Sequence, residues 1–180
     1  MSMNRLPGDP PADEIVERMI RVDHAGEYGA ARIYEGQLAV LGRSAAAPAI
    51  SRMAEQERRH LAAFDKLVVE RRVRPTALSP LWHAAGWALG AATALMGARA
   101  AMACTAAVEE VIDEHYRGQI ETLGASEPAL SAALEEFRAN EREHRETALA
   151  AGAEGAPGYA LLRAGIGAGA RLAIWLSTRI

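Results

Sequence analysis

Two related stretches of sequence decide the fold: HAGEYGAARIYEGQLAVLG at residues 24–42 and TAAVEEVIDEHYRGQIETLG at residues 105–124. They align with 82 residues between equivalent positions, and both close on Leu-Gly. The matched pairs are Glu27 with Glu109, Tyr34 with Tyr116, Gln37 with Gln119, and Leu41-Gly42 with Leu123-Gly124. Such an internal repeat indicates that the chain consists of two similar halves.

A second, shorter repeat follows each of these stretches. The string ERRH, from Glu57 to His60, matches EREH, from Glu141 to His144, at a spacing of 84 residues. Each half therefore supplies one segment with a single Glu and one segment with Glu-x-x-His.

Composition restricts the class of protein. Of the 180 residues, 50% are hydrophobic and 24% are charged, which suits a single globular domain. A net charge of −3 and an aromatic content of 5% offer neither a basic surface nor stacking platforms, so we expect no nucleic-acid partner. The single cysteine, Cys104, cannot form an internal disulfide, and the first residues carry no recognisable export or organelle signal. A bacterial cytoplasmic setting is therefore expected.

Helix start and stop signals recur along the chain, and no long alternation of apolar and polar residues competes with them. Gly42 is expected to end the first helix in a left-handed conformation. Six helices are predicted, over Asp13 to Gly42, Pro48 to Arg74, Ser79 to Gly97, onward from there to Gly124, Ser126 to Gly152, and Pro157 to the C-terminus. The predicted organisation is a tail over residues 1–12 and one domain over 13–180, with halves of about 13–98 and 99–180.

The acidic and imidazole residues of the repeats fall on the apolar stripes of these helices. Glu57 and His60 lie between Met53 and Phe64 on one face, and the fifth helix repeats this arrangement. Uncompensated buried carboxylates cost several kcal/mol each, so they require a counter-charge, which bound cations supply. The candidate metal ligands are Glu27, Glu57, His60, Glu109, Glu141 and His144.

The six residues are more informative together than singly. A lone Glu or His on an inner face is more often paired with an arginine or a backbone carbonyl than with a metal. One Glu from each of two helices and Glu-x-x-His from each of two others is the ligand set of ferritin-like di-iron and di-manganese proteins. Oxygen-rich ligation with two imidazoles and no thiolate favours Fe or Mn over Zn or Cu. We predict an all-α, ferritin-like four-helix bundle with two additional apolar helices.

Several strings in residues 17–180 resemble the demethoxyubiquinone hydroxylase family: RVDHAGEYGA, RVRPT, PLWHAAGWALGA, MACTAAVEE and the closing Glu-x-x-His helix. The resemblance implies two Fe ions per chain in a carboxylate-bridged centre, O2 as oxidant, a prenylated demethoxyubiquinol as substrate, and NADH as ultimate electron donor. It further implies one iron on Glu27, Glu57 and His60, the other on Glu109, Glu141 and His144, and bridging by Glu57 and Glu141. A homo-oligomer or a complex of ubiquinone-biosynthesis proteins stays open.

The imidazoles of such a centre need hydrogen-bond partners that fix their tautomer. Asp23 and Asp113 are the candidates, with an ordinary structural role as the alternative. Tyr116, together with Tyr28 and Tyr34, is a candidate for lining the pocket or donating to bound oxygen. Four further acids are expected to be solvated or paired with basic side chains: Glu110, Glu114, Glu143 and Glu146.

Residues 76–98 contain no Asp, Glu, Lys or Arg. A single membrane crossing there would separate the two halves of the metal site, so we expect an interfacial helix instead, on the cytoplasmic face of the inner membrane. Trp82 and Trp87 would lie near the headgroups, with arginines beside anionic lipid, and the last helix, with Trp175, would form the other wall of a hydrophobic entrance. The alternative is two ordinary helices buried against the bundle or in a subunit interface.

Two other classes of function remain open at the level of sequence. A ferroxidase, storage subunit or manganese catalase would use the same ligands on soluble substrates. A non-catalytic lipid-binding or scaffold protein would keep the apolar helices without needing the ligands. Activity on a quinol distinguishes the first class, and metal content distinguishes the second.

Overall fold

The structure, a computed structural model, describes residues 11–180, and this range contains six α-helices, one short 3-10 helix (Ala153–Gly155) and no strand. The α-helices are α1 (Ala12–Leu41), α2 (Ala47–Glu70), α3 (Ser79–Leu95), α4 (Ala98–Leu123), α5 (Pro128–Ala150) and α6 (Tyr159–Ser177). The all-α prediction is confirmed. Of the predicted N-terminal tail, residues 1–10 lie outside the described residues, and Ala12 already belongs to α1.

Three predicted helix ends differ from the structure for local backbone reasons. Gly42 has φ −59°, so it continues the right-handed turn instead of adopting the expected left-handed conformation. α2 ends four residues before the predicted Arg74 because Arg72 takes a positive φ of 54° and reverses the chain. α6 begins after Gly158, whose φ of 70° turns the chain into the helix, and not at Pro157.

The helices form a ferritin-like four-helix bundle with one additional helix per half. In the bundle α1 packs against α2, and α4 packs against α5. The additional helices repeat this symmetry, since α3 packs against α1 and α6 packs against α4. The internal repeat therefore corresponds to two units of three helices each.

The backbones of α3 and α1 are in direct contact. A Cβ built on Gly90 would stand 1.9 Å from the carbonyl oxygen of Ile33, and one built on Gly36 would stand 2.1 Å from that of Trp87. Only glycine fits at these positions, because any side chain would force the two helices apart.

α6 is attached to α4 by ion pairs. The guanidinium of Arg163 donates to both carboxylate oxygens of Glu110 at 2.7 and 2.5 Å, and Arg171 donates to Glu114 at 3.0 Å. The expectation that Glu110 and Glu114 pair with basic side chains is therefore confirmed.

The bundle core has two apolar layers with a polar layer between them. One apolar layer includes Phe64, Leu134 and Phe137, and the other includes Ile50 and Met102. The charged residues of the repeats lie in the layer between, where protein surrounds them on all sides. Within residues 11–180, no helix combines the length and the apolar character that a membrane crossing requires.

Candidate metal centre

The six predicted ligands come together in the middle layer of the bundle. α1 and α4 each contribute one carboxylate, while α2 and α5 each contribute a Glu and a His three residues apart, on the same helix face. All six are at most 3% exposed: Glu27, Glu57, His60, Glu109, Glu141 and His144.

These residues form two overlapping groups. In each group the ligand atoms, one per residue, lie within 4.8 Å of one another. The first group is Glu27, Glu57, His60 and Glu141, and the second is Glu57, Glu109, Glu141 and His144. Glu57 and Glu141 belong to both groups, so their carboxylates lie between the two volumes that the groups surround.

The Nδ1 atom of each imidazole faces carboxylates without making a hydrogen bond. Nδ1 of His60 lies 3.1 Å from Glu141 and 3.4 Å from Glu27. Nδ1 of His144 lies 3.1 Å from Glu57 and 3.2 Å from Glu141.

The six residues leave eight buried polar atoms without a hydrogen-bond partner. They are both carboxylate oxygens of Glu57 and Glu141, Oε2 of Glu27 and Glu109, and Nδ1 of His60 and His144. Buried polar atoms are rarely left unpaired, and these are all lone-pair donors that converge on one volume. The set fits two metal ions with mostly oxygen ligands.

The electrostatics of the cluster show how strongly it needs positive charge. Burial raises the pKa of Glu141 to about 7, with repulsion from Glu109 adding to it, and burial likewise raises the pKa of Glu57 well above its usual range. Burial lowers the pKa of His60 and of His144, but neighbouring carboxylates outweigh it and raise these values to about 9 and about 12. Without metal the cluster therefore holds protons, which metal ions would displace.

Two tyrosines cross between the halves. The Tyr34 hydroxyl donates to Oε1 of Glu109 at 2.6 Å, and the Tyr116 hydroxyl donates to Oε1 of Glu27. Each carboxylate thus has one oxygen held by a tyrosine and the other free for a metal. Burial, followed by the repulsion of nearby carboxylates, raises the pKa of both tyrosines well above the usual value, so both remain neutral donors.

The structure places the hydrogen bonds of Asp23 and Asp113, the candidate partners of the imidazoles, on groups other than His60 and His144. Asp23 lies one helical turn from Glu27, where it accepts from Gln119 at 2.8 Å and faces His115 at 3.2 Å. Asp113 is turned towards α5 and accepts from Arg138 at 2.8 Å.

Sequence reasoning missed the imidazole partner that is present. Nε2 of His144 lies 2.9 Å from Oε1 of Gln56, the residue before Glu57 on α2. No repeat or motif in the sequence distinguishes this glutamine, because the repeat places Asn140 at its equivalent position.

An apolar cavity of about 510 Å³ lies between α1, α3, α4 and α6. Gly26 and Val108 line it, and these are the immediate sequence neighbours of Glu27 and Glu109. Leu89 of α3 and Ile166 of α6 lie on the walls that the additional helices contribute. Residues of α6 therefore form one wall of this cavity.

Comparison with known proteins identifies the family. Residues 14–177 match the family described as Ubiquinone biosynthesis protein COQ7. The 3-demethoxyubiquinol 3-hydroxylase of Rhodospirillum rubrum is 56% identical over 178 residues, covering 98% of this chain and 84% of that protein. The human NADPH-dependent 3-demethoxyubiquinone 3-hydroxylase, mitochondrial, is 54% identical over 169 residues, covering 92% of this chain and 78% of that protein.

A more distant relative shares most of the same length. The 5-demethoxyubiquinone hydroxylase, mitochondrial, of Saccharomyces cerevisiae is 41% identical over 182 residues, covering 92% of this chain and 78% of that protein. The match spans both halves of the bundle and every residue of the buried cluster, and the chain belongs to the COQ7 family of ubiquinone biosynthesis proteins.

Proposed function

We propose that this chain is a di-iron monooxygenase that hydroxylates the ring of a prenylated demethoxyubiquinol with O2, in ubiquinone biosynthesis. The observation that carries the proposal is the convergence of eight unpartnered, buried polar atoms in the bundle interior. Family membership supports the substrate, since the relatives are named as hydroxylases of demethoxyubiquinol or demethoxyubiquinone.

In this proposal Glu27, Glu57 and His60 hold one iron and Glu109, Glu141 and His144 hold the other. The membership of Glu57 and Glu141 in both groups supports a bridging role for these two carboxylates. When bound, the two irons supply the electrons and the binding positions that activate O2. Because the ligands come from both halves, we treat residues 13–180 as one domain.

The protein's own groups prepare the site for this chemistry. Tyr34 and Tyr116 orient the terminal carboxylates, and the surrounding apolar layers exclude water from the reacting volume. The proposed electron source is NADH; the human and mouse relatives are named NADPH-dependent, so the two nucleotides need to be compared directly.

The apolar cavity favours a quinol over the soluble substrates of a ferroxidase or a manganese catalase. Its lining is small and apolar, and it reaches the sequence neighbours of Glu27 and Glu109. A prenylated ring has the size and polarity for such a space, whereas a hydrated ion or peroxide does not need it.

The test is to assay purified, iron-loaded protein with a short-tailed demethoxyquinol, O2 and either nucleotide. We expect about two Fe per chain, an oxo-bridged diferric absorption band, and a hydroxylated ring that carries one atom of 18O from 18O2. Folded protein with both irons but no ring hydroxylation would favour the ferroxidase or catalase class. Folded protein that binds no metal under any condition would favour a lipid-binding role.

We further propose peripheral attachment to the cytoplasmic face of the bacterial inner membrane. The outer faces of α3 and α6 leave large apolar side chains exposed, and arginines flank α3 in sequence. The exposed side chains are Leu81, Trp87, Leu95, Met96, Leu161, Leu172 and Trp175.

Variants at two leucines of α3 allow membrane attachment and folding to be tested separately. Leu95 is 76% exposed, whereas Leu89 lines the cavity and packs against the core. We expect Leu95→Lys to weaken binding to anionic vesicles and turnover of a long-tailed quinol, with metal content and short-tail turnover unchanged. Leu89→Lys is expected to impair both substrates. Unchanged vesicle binding in Leu95→Lys would favour a buried or subunit-interface role for this face.

A further inference from the structure

We propose that Gln56 and Asn140 form a hydrogen-bond relay that makes the two metal positions unequal, so that the position on His144 binds metal first and more tightly. The inference rests on the proposed di-iron function. It concerns two amide side chains that are not among the six proposed ligands.

The relay begins at a backbone carbonyl, which can only accept a hydrogen bond. Nδ2 of Asn140 donates to the backbone carbonyl of Glu136, one turn earlier on α5, at 2.7 Å. A carbonyl oxygen has no proton to give, so the amide nitrogen of Asn140 must face it. The orientation of this amide is therefore fixed by its own helix.

The fixed orientation passes from Asn140 to Gln56. Oδ1 of Asn140, the end that remains, accepts from Nε2 of Gln56 at 2.9 Å across the interface of α2 and α5. Since Gln56 must present its nitrogen to that oxygen, its own Oε1 points the other way, towards His144.

The last step sets the state of the imidazole. Oε1 of Gln56 is an acceptor, so Nε2 of His144, 2.9 Å away, must carry a proton. In a neutral ring this leaves the lone pair on Nδ1, the nitrogen that faces Glu57 and Glu141. The relay thus fixes the ring orientation and keeps the proton on Nε2, so that the proton a metal displaces is the one on Nδ1.

The equivalent imidazole has no such support. Among residues 11–180, no group makes a hydrogen bond to Nε2 of His60, and its ring instead packs on Phe137 with centroids 4.3 Å apart. In the repeat the counterpart of Gln56 is Asn140, which is one methylene shorter and whose amide is already engaged by Gln56 and Glu136. The inequality of the two halves therefore comes from a single methylene group and the direction of two amides.

The cost of losing such an outer partner is typically about 10- to 100-fold in metal affinity. We expect anaerobic calorimetric titration of the metal-free protein with Fe(II) to show two unequal steps. His144→Ala should lose the tighter step, and His60→Ala should lose the weaker one. Half-loaded protein should give a single ferrous Mössbauer signal.

Three variants test the relay itself. Gln56→Leu removes the acceptor and should weaken the tight step about 10- to 100-fold, with the weak step unchanged. Gln56→Glu keeps an oxygen towards His144 and should retain the tight step. Asn140→Asp keeps the acceptor for Gln56 and should also retain it. Glu55→Gln, on the exposed face of the same helix, is the matched control and should bind as the unmodified protein does.

Three outcomes would overturn the inference while leaving the proposed function intact. They are two identical binding steps in the unmodified protein, unchanged affinity in Gln56→Leu, and equal weakening in Gln56→Glu and Gln56→Leu. An unmodified protein that binds no Fe(II) at all would overturn the proposed function together with the inference.

Discussion

The two halves of the molecule carry equivalent buried Glu and His residues but differ in the groups that surround them. Tyr34 and Tyr116 make equivalent bonds to the opposite half, as the repeat requires. The residues one helical turn before Glu27 and Glu109 do not match. Asp23 faces His115 and Gln119. Its equivalent in the second half is the neutral Thr105, which faces Gln37.

The additional helices α3 and α6 also differ in how they are attached to the bundle. α3 is held by close backbone contact at glycines, and α6 is held by ion pairs on the surface. The comparison teaches that the duplicated residues define the buried cluster of carboxylates and imidazoles, while unduplicated neighbours decide how each half is supported.

The largest effect is expected from removing a carboxylate that belongs to both residue groups of the cluster. Glu57→Ala or Glu141→Ala removes a carboxylate common to both groups, so we expect both metals to be lost and hydroxylation to be abolished. Metal analysis and the quinol assay measure this. Glu143→Ala, an exposed acid on the same helix as Glu141, is the control and should retain both. Retention of two metals with full activity in either variant would show that these residues do not bridge.

The sequence was sufficient to predict the helical fold and the six acidic and imidazole residues that meet inside it, because both follow from repeated spacing. In an α-helix two residues that are three positions apart, such as Glu57 and His60, lie on the same face, and the second half repeats this spacing. The partners of the imidazoles were not predictable in this way. Asp23 and Asp113 bond other groups in the structure. Gln56 was missed because a hydrogen bond between α2 and α5 depends on side-chain length and direction across a helix interface.

The attachment of α3 is expected to be the more sensitive to added volume. Gly90→Ala places a Cβ 1.9 Å from a backbone oxygen of α1, and overpacking of this kind costs about 1–3 kcal/mol of unfolding free energy. Gly165→Ala on α6 is the matched control, since its Cβ meets nothing within 4 Å and should stabilise the fold by about 0.4–1 kcal/mol. Chemical denaturation measures both. Similar values for the two variants would mean that α3 is no more tightly held than α6.

The metal-free and metal-loaded proteins should respond differently to pH. Folding raises the pKa of His60 from 6.5 to about 9, so its protonation stabilises the metal-free fold fully below pH 6.5, and this contribution is lost as the pH rises through 9. Folding raises the pKa of Glu141 from 4.5 to about 7, and its contribution is lost between those values. The Tm of the metal-free protein should therefore fall from pH 6 to pH 9.

Loading with Mn(II), which does not change oxidation state on binding, provides the comparison. The metal replaces the protons of the cluster, so the Tm of the loaded protein should stay level or rise over the same range. Circular dichroism in the presence of a chelator or of Mn(II) measures both curves. Parallel curves would mean that the cluster does not titrate with folding.

The smallest effect is expected at the ion pairs that attach α6. The side chains of Arg163 and Arg171 are 50% and 57% exposed, so water and salt screen their attraction to Glu110 and Glu114. Exposed pairs of this kind contribute about 0–1 kcal/mol each, and the double variant Glu110→Gln, Glu114→Gln should lower the Tm by only a few degrees.

The effect should nevertheless be local, because these pairs join α6 to α4 and do not touch α3. Amide hydrogen exchange in the double variant should become faster across residues 159–177 and stay unchanged across residues 79–95. Raising the salt concentration should produce the same pattern in the unmodified protein, since screening weakens the same pairs. Equal acceleration in both helices would mean that α3 and α6 open as one unit, and the contrast between a glycine-packed helix and an ion-paired helix would then not describe how the halves are held.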